Sequence, residues 1–310
     1  MPVTHRAAFA ALAGLAALTG CVAPTRVTPT SDVPRLAVMS AFDAELTQLR
    51  AAATIAGTRV VNGRTHYLGR LAGHDVVLML SGYSMVNAAM TTQAMLDRYR
   101  ITGIVFSGIA GGVNPSLRVG DVTVPAQWGN YQEQTFARQT GTGWDSGRLS
   151  GEFANFGMMF PRRSSITSPT GPPDSLTTRF WFAADSAALA TARQVARTVQ
   201  LQRCSASGAC LSHTPQIVVG GNGVSGPTFV DNAAYREWVW TTFRADALDM
   251  ETAAVAMVAY ENRVPFIAFR SLSDLAGGGD GANEVPVFGK LAADNSAAVV
   301  IAYLSALRTK

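Results

Sequence analysis

The sequence predicts a single α/β domain, and three observations carry that reading. Its 310 residues are 48% hydrophobic and 15% charged, enough apolar material for a large core and too little charge for a disordered chain. Short apolar runs alternate with helix-like stretches from about residue 35 onward. Polar side chains then stand at the carboxyl ends of apolar runs, where open α/β sheets hold their ligands.

The stretch 247–277 concentrates this last feature. Glu251 stands at the start of a helix, and a buried strand over 265–269 ends in Arg270, Ser273 and Asp274. On the residues alone, Glu251 could satisfy helix amides and Asp274 could cap a helix as readily as either could serve a ligand.

The formal charge is +4 and comes from arginine, since only Lys290 and Lys310 are lysines. No basic run marks a nucleic-acid surface, so a small-molecule ligand is expected. Residues 1–20 read as a targeting segment. His5 and Arg6 precede an apolar run over 7–18, too short to span a bilayer. Leu18-Thr19-Gly20-Cys21 resembles the lipobox of bacterial lipoproteins, with an ordinary secretory signal as the alternative. Cleavage there leaves a lipidated Cys21 as the only membrane attachment, and the residues that follow it point to the outer membrane. Residues 21–34 read as a flexible tether, and 35–310 as the folded domain. In an oxidising periplasm Cys204 and Cys210 are expected to close a small loop as a disulfide, against the alternative of two free thiols. Their spacing is not a metal-ligand pattern, and neither metal nor organic cofactor is expected.

Taken in order, residues 35–40 form a strand, and Ala41-Phe42-Asp43-Ala44-Glu45-Leu46 opens a helix to about residue 52. No glycine-rich phosphate loop occupies this turn, which excludes a standard dinucleotide fold. Residues 59–71 and 75–81 read as a hairpin and a central strand, bounded by Asn62-Gly63 and Gly73-His74. A helix follows over 85–99. Residues 103–112 read as a buried strand running into a glycine turn around Ala110 and Gly111. A long middle region, 127–214, holds one clear helix over 186–199; it could supply lids, specificity loops or interface arms. A strand at 216–219 precedes Gly221-Asn222-Gly223-Val224-Ser225-Gly226. That stretch fits G-x-G-x-x-G but lies outside a first βα unit, and is rejected as a nucleotide motif. Trp238 and Trp240 lie in an amphipathic helix over 235–243 as core or interface residues, and a helix over 290–307 closes the sheet.

Met250-Glu251, then Val264-Pro265-Phe266, then Arg270-x-x-Ser273-Asp274 together resemble the nucleoside phosphorylase and hydrolase superfamily, in particular its methylthioadenosine/S-adenosylhomocysteine nucleosidases. The resemblance runs from about 36 to 304 and thins over 127–214. It implies a three-layer α/β/α fold with a mixed, partly barrel-like central sheet, and a homodimer. It assigns Glu45 as the base that activates water, Phe42 beside the ribose, and Ala110 and Gly111 under the base and sugar. Phe229 stacks on the base and Val230 reads its edge, although Phe229 could instead be a core residue. Phe288, taken to lie just before the last helix, covers the sugar. Ile109 departs from the family pattern, where many nucleosidases carry a serine that helps hold the attacking water.

The chemistry suits these residue types. Cleaving an N-glycosidic bond makes the sugar carbon cationic and the base anionic. Asp274, oriented by Ser273, can protonate the purine if desolvation raises its pKa. Glu251 can accept from the ribose hydroxyls, with Met250 against the sugar. Glu45 can take the proton of a water that Arg270 positions. The expected function is a purine nucleosidase acting on methylthioadenosine, S-adenosylhomocysteine or a related adenosine nucleoside. A non-catalytic nucleoside-binding lipoprotein and a phosphate-dependent phosphorylase are the alternatives. The acidic first turn, with Asp43 and Glu45, repels phosphate and favours hydrolysis.

Overall fold

The computed structural model describes residues 33–147, 152–279 and 281–307. The chain alternates strand and helix at first: β1 (Arg35–Ser40), α1 (Asp43–Ala52), β2 (Thr54–Val61), β3 (Arg64–Leu71), β4 (His74–Leu80), α2 (Ser84–Leu96), β5 (Ile101–Gly112), β6 (Val122–Val124) and β7 (Gln127–Asn130). The middle region forms three small ribbons, pairing β8 (Gln134–Phe136) with β11 (Met159–Pro161), β9 (Arg138–Thr140) with β10 (Gly143–Asp145), and β12 (Ser164–Thr167) with β13 (Leu176–Arg179). It ends in β14 (Trp181–Ala183) and α3 (Ser186–Val195). The remainder is β15 (Ile217–Val219), β16 (Asn222–Ser225), α4 (Ala233–Phe243), β17 (Ala245–Asp249), α5 (Thr252–Glu261), β18 (Phe266–Asp274) and α6 (Val285–Ala306).

Twelve strands make one mixed sheet in the order β14-β7-β16-β17-β5-β1-β4-β3-β2, with β18 branching from β5, β6 pairing β18 and β15 pairing β6. Strict alternation sends Ala37, Met39, Val77 and Met79 to one face, against α2 and α5. It sends Val38, Val76 and Leu78 to the other, against α1, α3 and α6. This is the three-layer arrangement expected. Each fully buried aliphatic or Phe side chain contributes roughly 1.5–3 kcal/mol of burial. The long apolar α6 has the length and composition of a membrane span, yet Ala297, Val299, Val300 and Leu304 are buried in the second of these core layers.

The branch at β5 positions the site. One edge of β5 pairs with β18 from Ile104 to Gly111. Its other edge pairs with β1 up to Phe106 and with β17 only from Gly111. Between those points the edge is open, and the carboxyl ends of β1, β17 and β18 converge on the gap, a switch point of the kind where α/β sheets bind ligands.

Three boundaries differ from the sequence expectation. The glycines of 108–112 continue β5 and make no turn; neither Gly108 nor Gly111 has positive φ. The strand expected over 265–269 runs on through Asp274, because Arg270 to Leu272 pair with β5 and the polar residues are carried inside the sheet. The last helix begins at Val285, with Pro286 in its first turn, so Phe288 lies within the helix. The hairpin of β2 and β3 turns as expected at Asn62 (φ 48°) and Gly63 (φ 76°), the left-handed pair such turns need.

Candidate active site

A cavity of about 310 Å³ opens at this switch point. Glu45, Glu251 and Asp274, more than two hundred residues apart at the extremes, all line it. Asp249 is a fourth carboxylate in the wall, and among the described residues no arginine, lysine or histidine lines the cavity.

Glu45 enters from the first turn of α1 and is buried. Its Oε2 accepts from the Ala41 N–H (2.7 Å) and its Oε1 from the Ile109 N–H (2.8 Å), on the open edge of β5. Burial pushes its pKa up, opposed by the Arg270 guanidinium 3.9 Å away. Gly108 makes that approach possible: a Cβ there would lie 1.9 Å from Arg270 Nη1 and 2.5 Å from Glu45 Oε1. This close approach, and not a left-handed backbone, is what requires the glycine.

Glu251 precedes α5 but does not cap it. The α5 amides are satisfied by Asp249 Oδ1, which accepts from Thr252 N–H (3.2 Å), and by Ser225 Oγ, which accepts from Ala253 N–H (2.8 Å). Glu251 Oε1 instead accepts from the Ser84 N–H at the start of α2 (2.7 Å). Ser84 holds φ at 73°, a strained region for a residue with a Cβ, and that conformation delivers the N–H. Burial pushes the Glu251 carboxyl up to about 7, with the Asp249 charge adding to the effect and Arg270 opposing it.

Asp274 caps no helix either. Its Oδ2 accepts from Ser273 Oγ (2.8 Å) and its Oδ1 from the Ala276 N–H (2.8 Å). Burial raises its pKa, partly offset by the Ser273 hydrogen bond. A buried carboxyl with a raised pKa is suited to carry and deliver a proton.

Met250, Ala110, Gly111, Phe42, Val230 and Phe229 all line the same cavity. Phe229 is 58% exposed at its mouth, so it is no core residue. Two expected residues are elsewhere. Phe288 packs on the cluster of Val119, Leu211 and Leu291, because the early start of α6 turns it away; Val285 lines the cavity instead. Arg270 is 0% exposed and lies behind the wall, held by Asp249 and Thr252, so it does not face the cavity as a water-positioning group would. No described residue of 127–214 lines the cavity; one link to it is Gln132 Oε1, which accepts from Thr228 Oγ1 (3.1 Å).

The sequence reading passed over Asp249, Tyr83 and Ser84. Asp249 was the available signal, a second acid two residues before Glu251 at the end of β17. Tyr83 stacks on Phe42 (centroids 5.2 Å, planes 10° apart), a contact no local pattern announces.

Elsewhere, Cys204 and Cys210 are bonded (S–S 2.05 Å). Trp238 is buried and its indole N–H donates to the Ala154 carbonyl (2.9 Å), anchoring the middle region on α4; Trp240 is half-buried. Cys21 and the targeting segment lie outside the described residues. Among the described residues, no group of three His, Cys, Asp or Glu is disposed to hold a metal ion.

A branched mixed sheet with acidic groups gathered at its switch point, and no phosphate loop in the first βα turn, defines an α/β protein with an acidic small-molecule cavity. The chain belongs to the phosphorylase superfamily, whose family model matches residues 35–305. It is 29% identical to the 5′-methylthioadenosine/S-adenosylhomocysteine nucleosidase of Tolumonas auensis over 274 residues, covering 88% of this chain and 100% of the relative. It is 31% identical to the enzyme of the same name from Bacillus thuringiensis over 246 residues, covering 78% and 87%. Among solved structures it resembles the Neisseria meningitidis nucleosidase of that name in complex with methylthio-immucillin-A, with TM-score 0.65, 25% identity, and 88% and 99% of the two chains covered.

Proposed function

We propose that this protein is a purine nucleosidase that hydrolyses the N-glycosidic bond of methylthioadenosine, S-adenosylhomocysteine or a related adenosine nucleoside, releasing adenine. The observation that carries the reading is the convergence of Glu45, Glu251 and Asp274 on one cavity, with no cation in its wall among the described residues. Asp274, its pKa raised by burial, donates to the departing purine. Glu251, with Oε1 engaged by Ser84, offers its second oxygen to the sugar hydroxyls and its charge to the cationic ring. Glu45, held by two backbone amides, accepts the proton of the attacking water. Phe229 supplies a stacking face at the mouth.

Among the described residues the lining carries no cation, which also argues for water over phosphate as the nucleophile, because phosphorolysis needs positive groups around the anion. The test is adenine release from a panel of adenosine nucleosides, with and without phosphate. Release independent of phosphate is expected. Release only with phosphate would establish a phosphorylase, and tight binding without product a binding protein.

The protein is exported and anchored through a lipid on Cys21 at the outer membrane, with residues 21–34 as tether. The N-terminal pattern supports this, as does the Cys204–Cys210 bond, which persists in oxidising compartments. Acyl labelling of the cell-borne protein, lost in Cys21→Ala, tests it. The protein is a homodimer: Val86 (71% exposed) and Met90 (60%) leave an apolar stripe on α2 uncovered beside the site. Light scattering at micromolar concentration would reveal a monomer if this is wrong.

A further inference from the structure

A charge cluster runs inward from Asp249 in the cavity wall to Arg270 behind it. Asp249 ends β17 and is buried. Its Oδ1 accepts from Ser225 Oγ (2.5 Å) and from the Glu251 and Thr252 amides (3.3 and 3.2 Å). Its Oδ2 accepts from Thr252 Oγ1 and faces Arg270 Nε at 2.8 Å. Thr252 Oγ1 also accepts from Arg270 Nε (3.0 Å) and Nη2 (2.7 Å). The guanidinium carbon lies 4.1 Å from the centroid of the Phe106 ring. Two of the three guanidinium nitrogens are therefore tied. The third, Nη1, is buried without a hydrogen-bond partner, 3.9 Å from Glu45 Oε1.

That separation is too long for a direct hydrogen bond. An arginine released from Asp249 would close it, since a buried cation gains most from the nearest free carboxylate. A direct pair would hold Glu45 ionised so firmly that it would become a poor proton acceptor. Held back, the same nitrogen leaves Glu45 able to take a proton.

We infer that Asp249 is a positioning residue: it clamps Arg270 so that one guanidinium nitrogen is presented to Glu45 without pairing with it. The inference rests on the nucleosidase reading above for its meaning, but not for its test. The charged and titratable groups around Glu45 are Arg270 on β18, Glu251 before α5 and Tyr83 before α2, with the Ala41 and Ile109 amides completing its shell. Removing the Asp249 charge leaves Arg270 as the one strong influence free to move among them.

The experiment compares Asp249→Asn and Thr252→Val with the wild type by two readouts. One is kcat and KM for adenine release from methylthioadenosine across pH. The other is titration of the glutamate side-chain carboxyls by carbon NMR, which needs no turnover. In Asp249→Asn the Glu45 carboxyl should titrate lower than in wild type, and kcat should fall at least ~10-fold with KM nearly unchanged. Thr252→Val, which loosens the clamp but keeps the charge, should shift both in the same direction by less. If Asp249→Asn does not fold, Thr252→Val decides by the same readouts. A Glu45 titration unmoved in the folded variants overturns the proposal, as does wild-type kcat. If the wild type releases no adenine while Glu45 still shifts, the nucleosidase reading fails and the clamp stands.

Discussion

Replacing Glu251 by Gln should make the protein more stable as well as inactive, and the gain should depend on pH. The Glu251 carboxyl is buried between Asp249 and the start of α2, and its pKa rises from the ordinary 4.5 to about 7. The step corresponds to ~3 kcal/mol of preference for the neutral form in the folded state. Because the folded value is the higher one, the stability it contributes is fully present below about pH 4.5 and is lost as pH rises through about 7. Gln keeps an oxygen for the Ser84 N–H and never ionises, so it loses nothing over that range. The stability difference between Glu251→Gln and wild type should therefore grow by ~3 kcal/mol from about pH 4 to about pH 8. Urea unfolding of both proteins at several pH values measures it. A difference that stays constant across the range would refute the claim that burial and Asp249 hold this carboxyl up. The gain at neutral pH would be the stability given up to keep a charge at the site.

Asp274→Asn should cut adenine release by ~10²–10⁴ while the urea midpoint is kept or raised, because the buried acid is lost and its shape is not. Gly108→Ala should cost ~1–3 kcal/mol and most of the activity, since the new Cβ forces Arg270 and Glu45 apart; thermal unfolding and turnover measured together check both effects. Phe229→Ala should raise KM by about tenfold with stability within about 0.5 kcal/mol of wild type, as expected for an exposed stacking ring at the mouth of the cavity.

Much of the molecule was legible in the chain. The helix openings at Asp43 and near Ser84, the Asn62-Gly63 turn and the apolar strands are local patterns, set by side-chain period and turn chemistry. Glu251 and Asp274 were legible as polar groups beside the ends of apolar runs, and the roles of all three acids, Glu45 included, came through the resemblance to the nucleosidases. Phe288 was misplaced because Val285 and Pro286 start α6 earlier than the apolar run suggests, which takes Phe288 into the helix and onto the cluster of Val119, Leu211 and Leu291. Arg270 was put in the cavity by the resemblance, as the group that positions water. Pairing of β18 with β5 through Gly111 keeps it inside.

The sequence by itself determined the alternation of elements, the acidic groups available and the absence of a phosphate loop, all of which are properties of neighbouring residues. Only the tertiary structure decided that one edge of β5 stays open between Phe106 and Gly111, and that Gly108 lets a cation and a base approach across it. It alone assigned Asp249 and Ser225, and not Glu251, to the α5 amides, freeing Glu251 for the cavity. Those outcomes turn on distances between segments far apart in the chain, and a distance of that kind is set by packing and by competition among buried charges for partners, which no local pattern encodes.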